Sequence, residues 1–169
     1  LVLQVVGLDL VAQADALAAR LADVDLAAVY SSPIERARET AEPVAARHGL
    51  RVAVHDGLSE VDVGRWTREP LKKLQRRDHW RKLMAYPSGV PLPDGESMWD
   101  VQVRMVDALE GLRAAHPNQI VAAVSHADPV AVVVAHYLGL PLDLFRRLTV
   151  EPASLTVLLL SDGIPRLVR

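Results

Sequence analysis

Short β-branched runs alternate with stretches of helical periodicity along this chain, and that alternation most narrows the folds open to it. Leu26–Tyr30, Arg51–Val54 and Ile120–Val124 read as short buried strands. Between them, Ala14, Leu17, Ala18 and Leu21 recur at i, i+3, i+4 and i+7. Ile34, Ala37, Ala41, Val44 and Ala45 predict a second helix, and Val101, Met105, Ala108, Leu109 and Leu112 a third that Ser97 and Asp100 would open as a capping box. Asp128–Leu138 predicts a fourth, stopped by Gly139 and Pro141. Ser154–Leu160 and Arg166–Val168 read as two closing strands turned by Asp162-Gly163. Strand–helix alternation requires crossover connections, hence a mainly parallel sheet covered by helices on both faces. The expectation is an α/β chain, a three-layer α/β/α sandwich forming a single domain over residues 1–169.

Composition closes off other classes. The 169 residues are 50% apolar and 24% charged with a net charge of −2, which argues against disorder and against a general attraction to nucleic acid or membrane. There is no cysteine, so disulfides, thiolate metal sites and cysteine nucleophiles are excluded. No metal-ligand pattern such as HExxH occurs, and neither a metal nor a cofactor is expected. The longest apolar run, Val130–Ala135, is too short for a membrane span, and no leader pattern opens the chain; a cytoplasmic protein is the expectation.

In parallel α/β sheets the ligand crevice lies at the carboxyl ends of strands, where helix N-termini also point. That rule selects Tyr30-Ser31-Ser32, followed by Arg36, and Val124-Ser125-His126. His126 could be a satisfied strand-end histidine or, if protonated, a phosphate ligand. Pro33 suits a helix's first turn and Ser32 its N-cap. Arg36 then lies one turn in and can swing over the strand ends, whereas Arg38, about 200° further round, faces solvent. Leu58-Ser-Glu60-Val-Asp62-Val-Gly64-Arg-Trp66 puts two acids at i, i+2 in an extended segment. Glu60 there is either a loop residue or a general acid, a role that needs a carboxyl kept protonated near neutral pH.

Taken in order, Ser31–Ala41 (SSPIERARETA), Leu58–Trp66 (LSEVDVGRW), Pro93–Ser97 (PDGES) and Val124–Pro129 (VSHADP) resemble the histidine phosphatase superfamily, in its phosphoglycerate mutase-like branch. The resemblance spans roughly residues 11–169. It implies that Arg36 clamps phosphate, Glu60 is the proton donor and His126 stabilises the transferred phosphoryl group. Ser31, Ser125, Arg65 and Arg81 are the further substrate-binding candidates.

One departure bears on mechanism. Members of this family begin with a strand running into Arg-His-Gly or Arg-His-Ala, whose histidine is the nucleophile, and no such tripeptide opens this chain. Arg47-His48-Gly49 lies at the end of the second predicted helix and cannot stand at the first strand's end. Leu1-Val-Leu3 looks like the stump of a strand, and Gly7–Leu10 and Val11–Ala14 look like family segments joined without the piece between them. The expectation is that residues missing around Leu3/Gln4 and Leu10/Val11 carry the nucleophile; a nucleophile-less relative is the alternative.

The net charge hides an asymmetry. Between Arg65 and Lys82 lie eight basic residues against Glu69 and Asp78, a segment of +6 on a remainder of −8. It is either a solvated helix face or an insertion over the site that attracts anionic esters. Its place after the Glu60 loop matches the family's variable cap, expected here over residues 65–92. Trp66, Trp80 and Trp99 could stack a ring or simply pack. The reading is a phosphatase of small phosphorylated metabolites, without nucleic-acid or membrane partners and with a homodimer left open. A phosphomutase and a phosphate-binding pseudoenzyme are the alternatives, and a plain α/β ligand-binding domain would lack a G-x-G-x-x-G fingerprint.

Overall fold

The computed structural model describes residues 2–5, 10–161 and 163–168. Strands β1 (Val2–Val5), β2 (Leu26–Ser31), β3 (Val52–Val54), β4 (Ile120–Ser125), β5 (Leu155–Leu159) and β6 (Arg166–Leu167) form one six-stranded sheet in the order β3-β2-β4-β1-β5-β6. The four strands from β3 to β1 are parallel, and β5 and β6 add on antiparallel. Asp162, expected in the turn before β6, lies outside the described residues.

Helices α1 (Leu10–Arg20) and α2 (Glu35–Arg47) cover one face; α5 (Met98–Ala115) and α6 (Ala127–Tyr137) cover the other. Side-chain alternation along β4 divides the core between them. Ala122 and Val124 pack with Leu17, Val29 and Val44 on the α1/α2 side, while Ala123 joins Met105, Leu109 and Val133 on the α5/α6 side. Residues Val130–Ala135 of α6 are all buried, as expected of a helix apolar all round. Two short helices, α3 (Leu71–Leu74) and α4 (Asp78–Ala85), follow the Glu60 loop.

The predicted elements hold with boundary shifts of a few residues. Ser97 caps α5 with Asp100 in a reciprocal box. At α2 the expectation is corrected: the helix starts at Glu35 with Ile34 as its N-cap, and Ser32 Oγ instead accepts from the Ile34 amide at 3.3 Å, ahead of the helix. Ser32 is thereby kept for the site.

Residues 6–9, between β1 and α1, lie outside the described residues. Leu3 and Gln4 are successive partners of Ala123 and Val124, and α1 runs unbroken through Leu10 and Val11. The intervening sequence Val6-Gly7-Leu8-Asp9 contains neither arginine nor histidine.

Candidate active site

Strands β2 and β4 end side by side: Ser31 pairs with Val124, and the Ser32 amide donates to the Val124 carbonyl at 2.9 Å. The residues that follow, Ser32 and His126, therefore emerge together at the carboxyl ends of parallel strands. His126 Nε2 lies 2.8 Å from Ser32 Oγ, and its Nδ1 lies 3.0 Å from an Arg36 guanidinium nitrogen. Arginine only donates, so Nδ1 accepts, and Nε2 carries the proton that it gives to Ser32. The same Arg36 nitrogen donates to Glu60 Oε2 at 3.3 Å, and Glu60 Oε2 is 3.5 Å from His126 Nδ1. Arg36, Glu60 and His126 thus meet around one point.

Burial, joined by the charges of Arg36 and Arg104, lowers the His126 pKa from 6.5 to about 4. The imidazole is neutral in the ligand-free site, satisfied by Arg36 and Ser32; an arriving anion is what would favour its protonation. Glu60 is displaced the other way. Loss of solvent raises its pKa above the ordinary 4.5, the Val61 amide that its Oε1 accepts from pulls it down, and the Asp128 charge raises it again, with Arg36 and Arg104 opposing. Neighbouring titratable groups whose pKa values are moved in opposite directions, the carboxyl up and the imidazole down, suit an acid and a phosphate ligand sharing one task.

Backbone geometry holds the Glu60 loop in place. Gly64 has φ of +52°, and a Cβ there would meet the Pro93 carbonyl oxygen at 2.2 Å, so glycine is required twice over. The 93–97 segment packs against it: the Glu96 amide donates to the Asp62 carbonyl at 2.9 Å, and Glu96 Oε2 accepts from the Asp62 amide at 2.9 Å. Arg104 on α5 ties the two segments together. It donates to both Glu96 carboxylate oxygens at 2.6 and 3.0 Å, to the Gly57 carbonyl at 3.0 Å and to the Glu60 carbonyl at 3.1 Å. Sequence reasoning missed Arg104, although its spacing of eight residues from Glu96, two turns along the start of a helix, was visible.

Several expected site residues are elsewhere. Ser31 and Ser125 are fully buried, with hydroxyls donating to the Ser32 and Leu58 carbonyls at 2.9 and 2.8 Å, so neither faces a substrate. Ser32 is the serine that reaches His126. Arg65 pairs with Asp94 at 2.7 Å and Arg81 pairs with Asp78; both side chains are about 70% exposed and apart from the Glu60 cluster. Asp62 is held within its own turn, where its Oδ1 accepts from the Gly64 amide at 2.9 Å. Among the described residues no group of three or more His, Asp or Glu could hold a metal ion, and no helix is long and apolar enough to cross a membrane.

Beside the cluster lies a cavity of about 450 Å³. Glu60, Ala127 and Asp128 form its inner side, and Val61, Val63, Trp66, α3, α4, Leu92 and Met98 form its walls. Glu60 belongs to both compartments. The basic residues of 65–82 do not line this cavity, which favours the solvated-face reading over a cationic mouth: residues 71–84 turn Leu71, Leu74, Trp80, Leu83 and Met84 toward the cavity and leave the basic side chains outside it.

Comparison with known proteins agrees with this geometry. The sequence is 32% identical over 148 residues to phosphoserine phosphatase 1 of Hydrogenobacter thermophilus, covering 86% of this chain and 70% of that protein. It is 32% identical over 139 residues to the protein named probable phosphoglycerate mutase GpmB of Erwinia tasmaniensis, covering 81% of this chain and 65% of that one. The chain thus spans about two thirds of the length of these relatives. Its fold matches the solved structure of Bacillus stearothermophilus YhfR with a TM-score of 0.86 and 26% identity, over 92% of this chain and 79% of that one. The profile of the histidine phosphatase superfamily (branch 1) matches residues 11–169, and the chain belongs to that superfamily.

Proposed function

We propose that the fold serves a metal-independent phosphomonoesterase of small phosphorylated metabolites, acting through a phosphohistidine. The observation that carries this reading is the position of Glu60: its carboxyl, with a raised pKa, stands between the Arg36–His126 cluster and a roomy cavity. A phosphate held by Arg36 and His126 with its ester group in the cavity would present the bridging oxygen to Glu60. In-line attack by a histidine nitrogen forms an N–P bond and breaks the P–O ester bond as the Glu60 proton passes to the leaving oxygen. Water then attacks phosphorus, Glu60 takes its proton, and the N–P bond breaks to free phosphate. Two easier steps replace one hard one, and charge neutralisation by the site does the remaining work.

The attacking histidine is not among the 169 residues: the first histidine is His48, beyond Arg36 in the chain. The proposal therefore assigns turnover to a form of the protein that carries the histidine-bearing residues expected around Leu3/Gln4 and Leu10/Val11. It assigns to the 169-residue chain binding of the ester without transfer. Rapid-quench labelling with a radioactive phosphate ester tests both halves. Acid-labile, base-stable label on the protein as its gene encodes it, with none on the 169-residue chain, is the expected result; no label on either leaves a phosphate-binding pseudoenzyme.

The cavity favours a phosphatase over a mutase. A mutase must hold a second phosphate, and the cavity's one cationic wall residue among those described, Arg146, already lies 3.6 Å from Asp128. Release of inorganic phosphate without isomerisation of a phosphoglycerate is the expected outcome. The reading expects the protein in the cytoplasm without a nucleic-acid or membrane partner; the net charge of −2 and the pairing of Lys73, Arg77 and Arg81 with acids of their own segment support the absence of those partners.

A further inference from the structure

We infer that the cavity beside Glu60 takes the aryl or bulky alkyl part of a phosphate ester, so that the substrates are apolar phosphomonoesters rather than amino-acid or glycerate phosphates. The inference rests on the phosphatase reading, since it assigns the leaving-group side of the same site. Its walls carry the argument. Val61, Leu74, Trp80, Leu83, Met84 and Leu92 give the pocket an apolar lining, and its volume of about 450 Å³ holds a fused ring. Trp66 and Trp80 sit with ring centroids 5.7 Å apart, offering a rigid aromatic surface against which a ring can pack.

What the pocket withholds matters as much. A serine or glycerate phosphate brings a carboxylate, which here would shed its hydration against leucine and tryptophan and face the Asp128 carboxylate. Arg146, the cation in the wall, is occupied with Asp128 at 3.6 Å and stacks over the Phe145 ring at 4.7 Å. None of the basic residues of 65–82 lines the pocket, and Lys73 and Arg77 both hold Glu69 while Arg65 holds Asp94. The cap therefore turns apolar side chains toward the pocket and keeps these ion pairs outside it.

Equilibrium binding tests this without turnover, using the 169-residue chain and calorimetric titration with 1-naphthyl phosphate, O-phosphoserine and inorganic phosphate. Naphthyl phosphate is expected to bind at least about tenfold tighter than either of the others, the gain from burying a ring. Two variants separate the compartments. Leu71→Asp introduces a charge at a wall residue that is 54% exposed and opens a short helix, so the fold tolerates it. It is expected to weaken naphthyl phosphate about tenfold more than it weakens inorganic phosphate. Arg36→Ala is expected to weaken all three ligands alike. Phosphoserine binding as tightly as naphthyl phosphate, or equal effects of Leu71→Asp on naphthyl phosphate and inorganic phosphate, would overturn the apolar pocket and leave the phosphatase reading standing. Naphthyl phosphate binding that answers to Leu71→Asp but not to Arg36→Ala would keep the pocket and sink the phosphate site.

Discussion

The Arg36–Glu60–His126 cluster and the cap over residues 65–92 are both rich in charge, yet charge means different things in them. In the cluster, Ser32, Arg36, Glu60 and His126 come from distant parts of the chain and meet because parallel strands end together. Partial burial couples them strongly enough to move two pKa values in opposite directions. In the cap, ion partners lie three to eight residues apart and in water: Lys73 with Glu69, Arg77 with Glu69, Arg81 with Asp78. Exposed pairs of that kind add little to stability, because solvent screens them and two long side chains must be ordered to make them. An arginine thus matters here by how far in sequence its partners are and how little solvent surrounds them.

That contrast is open to measurement, and Arg36→Ala should show it most strongly. Loss of a charge-assisted phosphate contact is expected to cut affinity for inorganic phosphate on the order of 10²-fold, read by calorimetry. Retained affinity would mean the cluster is merely a structural knot. Arg104→Met comes next. It removes four hydrogen bonds, including the pair with Glu96, and leaves that carboxylate without its ion partner. A loss of roughly 2–3 kcal/mol in denaturant unfolding is expected. Because Arg104 positions Glu60 through its backbone, the acid limb of the pH–rate profile should shift in the nucleophile-bearing form; a stability loss with an unmoved profile would confine Arg104 to scaffolding.

His126 gives an effect that depends on pH. Its folded pKa of about 4 lies below the unfolded 6.5, so the unfolded chain binds the extra proton between those values. Stability is complete above about pH 6.5 and is lost as pH falls, by about 2 kcal/mol at pH 5. Glu60 works in the opposite sense, since its raised pKa makes ionisation costly and acid relieves that cost. His126→Gln should flatten the acid slope in a series of urea unfolding curves, and an unchanged slope would remove the buried neutral imidazole. Smallest of all, Arg65→Ala and Arg81→Ala should change stability by less than about 0.5 kcal/mol and phosphate affinity by less than about twofold. A large effect at either would bring the cap's charges back into the site.

Much of this was legible in the sequence, and the reasons are local. Apolar periodicity at 3.6 and short β-branched runs placed α1, α2, α5, α6 and β2 to β6 within a few residues, because those patterns are set by which face must be buried. Gly64 and the Ser97–Asp100 box were visible as turn and cap chemistry, which spans only a few residues. Arg36, Glu60 and His126 were legible because strand ends of a parallel sheet converge whatever the loops do. Other assignments failed for want of a third dimension. Ser31 and Ser125 share the strand ends with real site residues, but their side chains turn into the core, and only the sheet's pleat and the Leu58 carbonyl decide that.

What the residue order determined by itself, then, is a mainly parallel α/β/α sandwich, the three chemical groups gathered at its strand ends, and the fact that the first histidine, His48, follows Arg36. The tertiary structure decided which serine serves His126, that His126 is neutral when the site is empty, that Arg104 anchors the Glu60 loop, and that the basic cap faces the cavity with its leucines and tryptophans. Burial and partners 24 to 94 residues away set those outcomes, since a pKa or a hydroxyl's direction depends on the atoms around it in space and only indirectly on its neighbours along the chain.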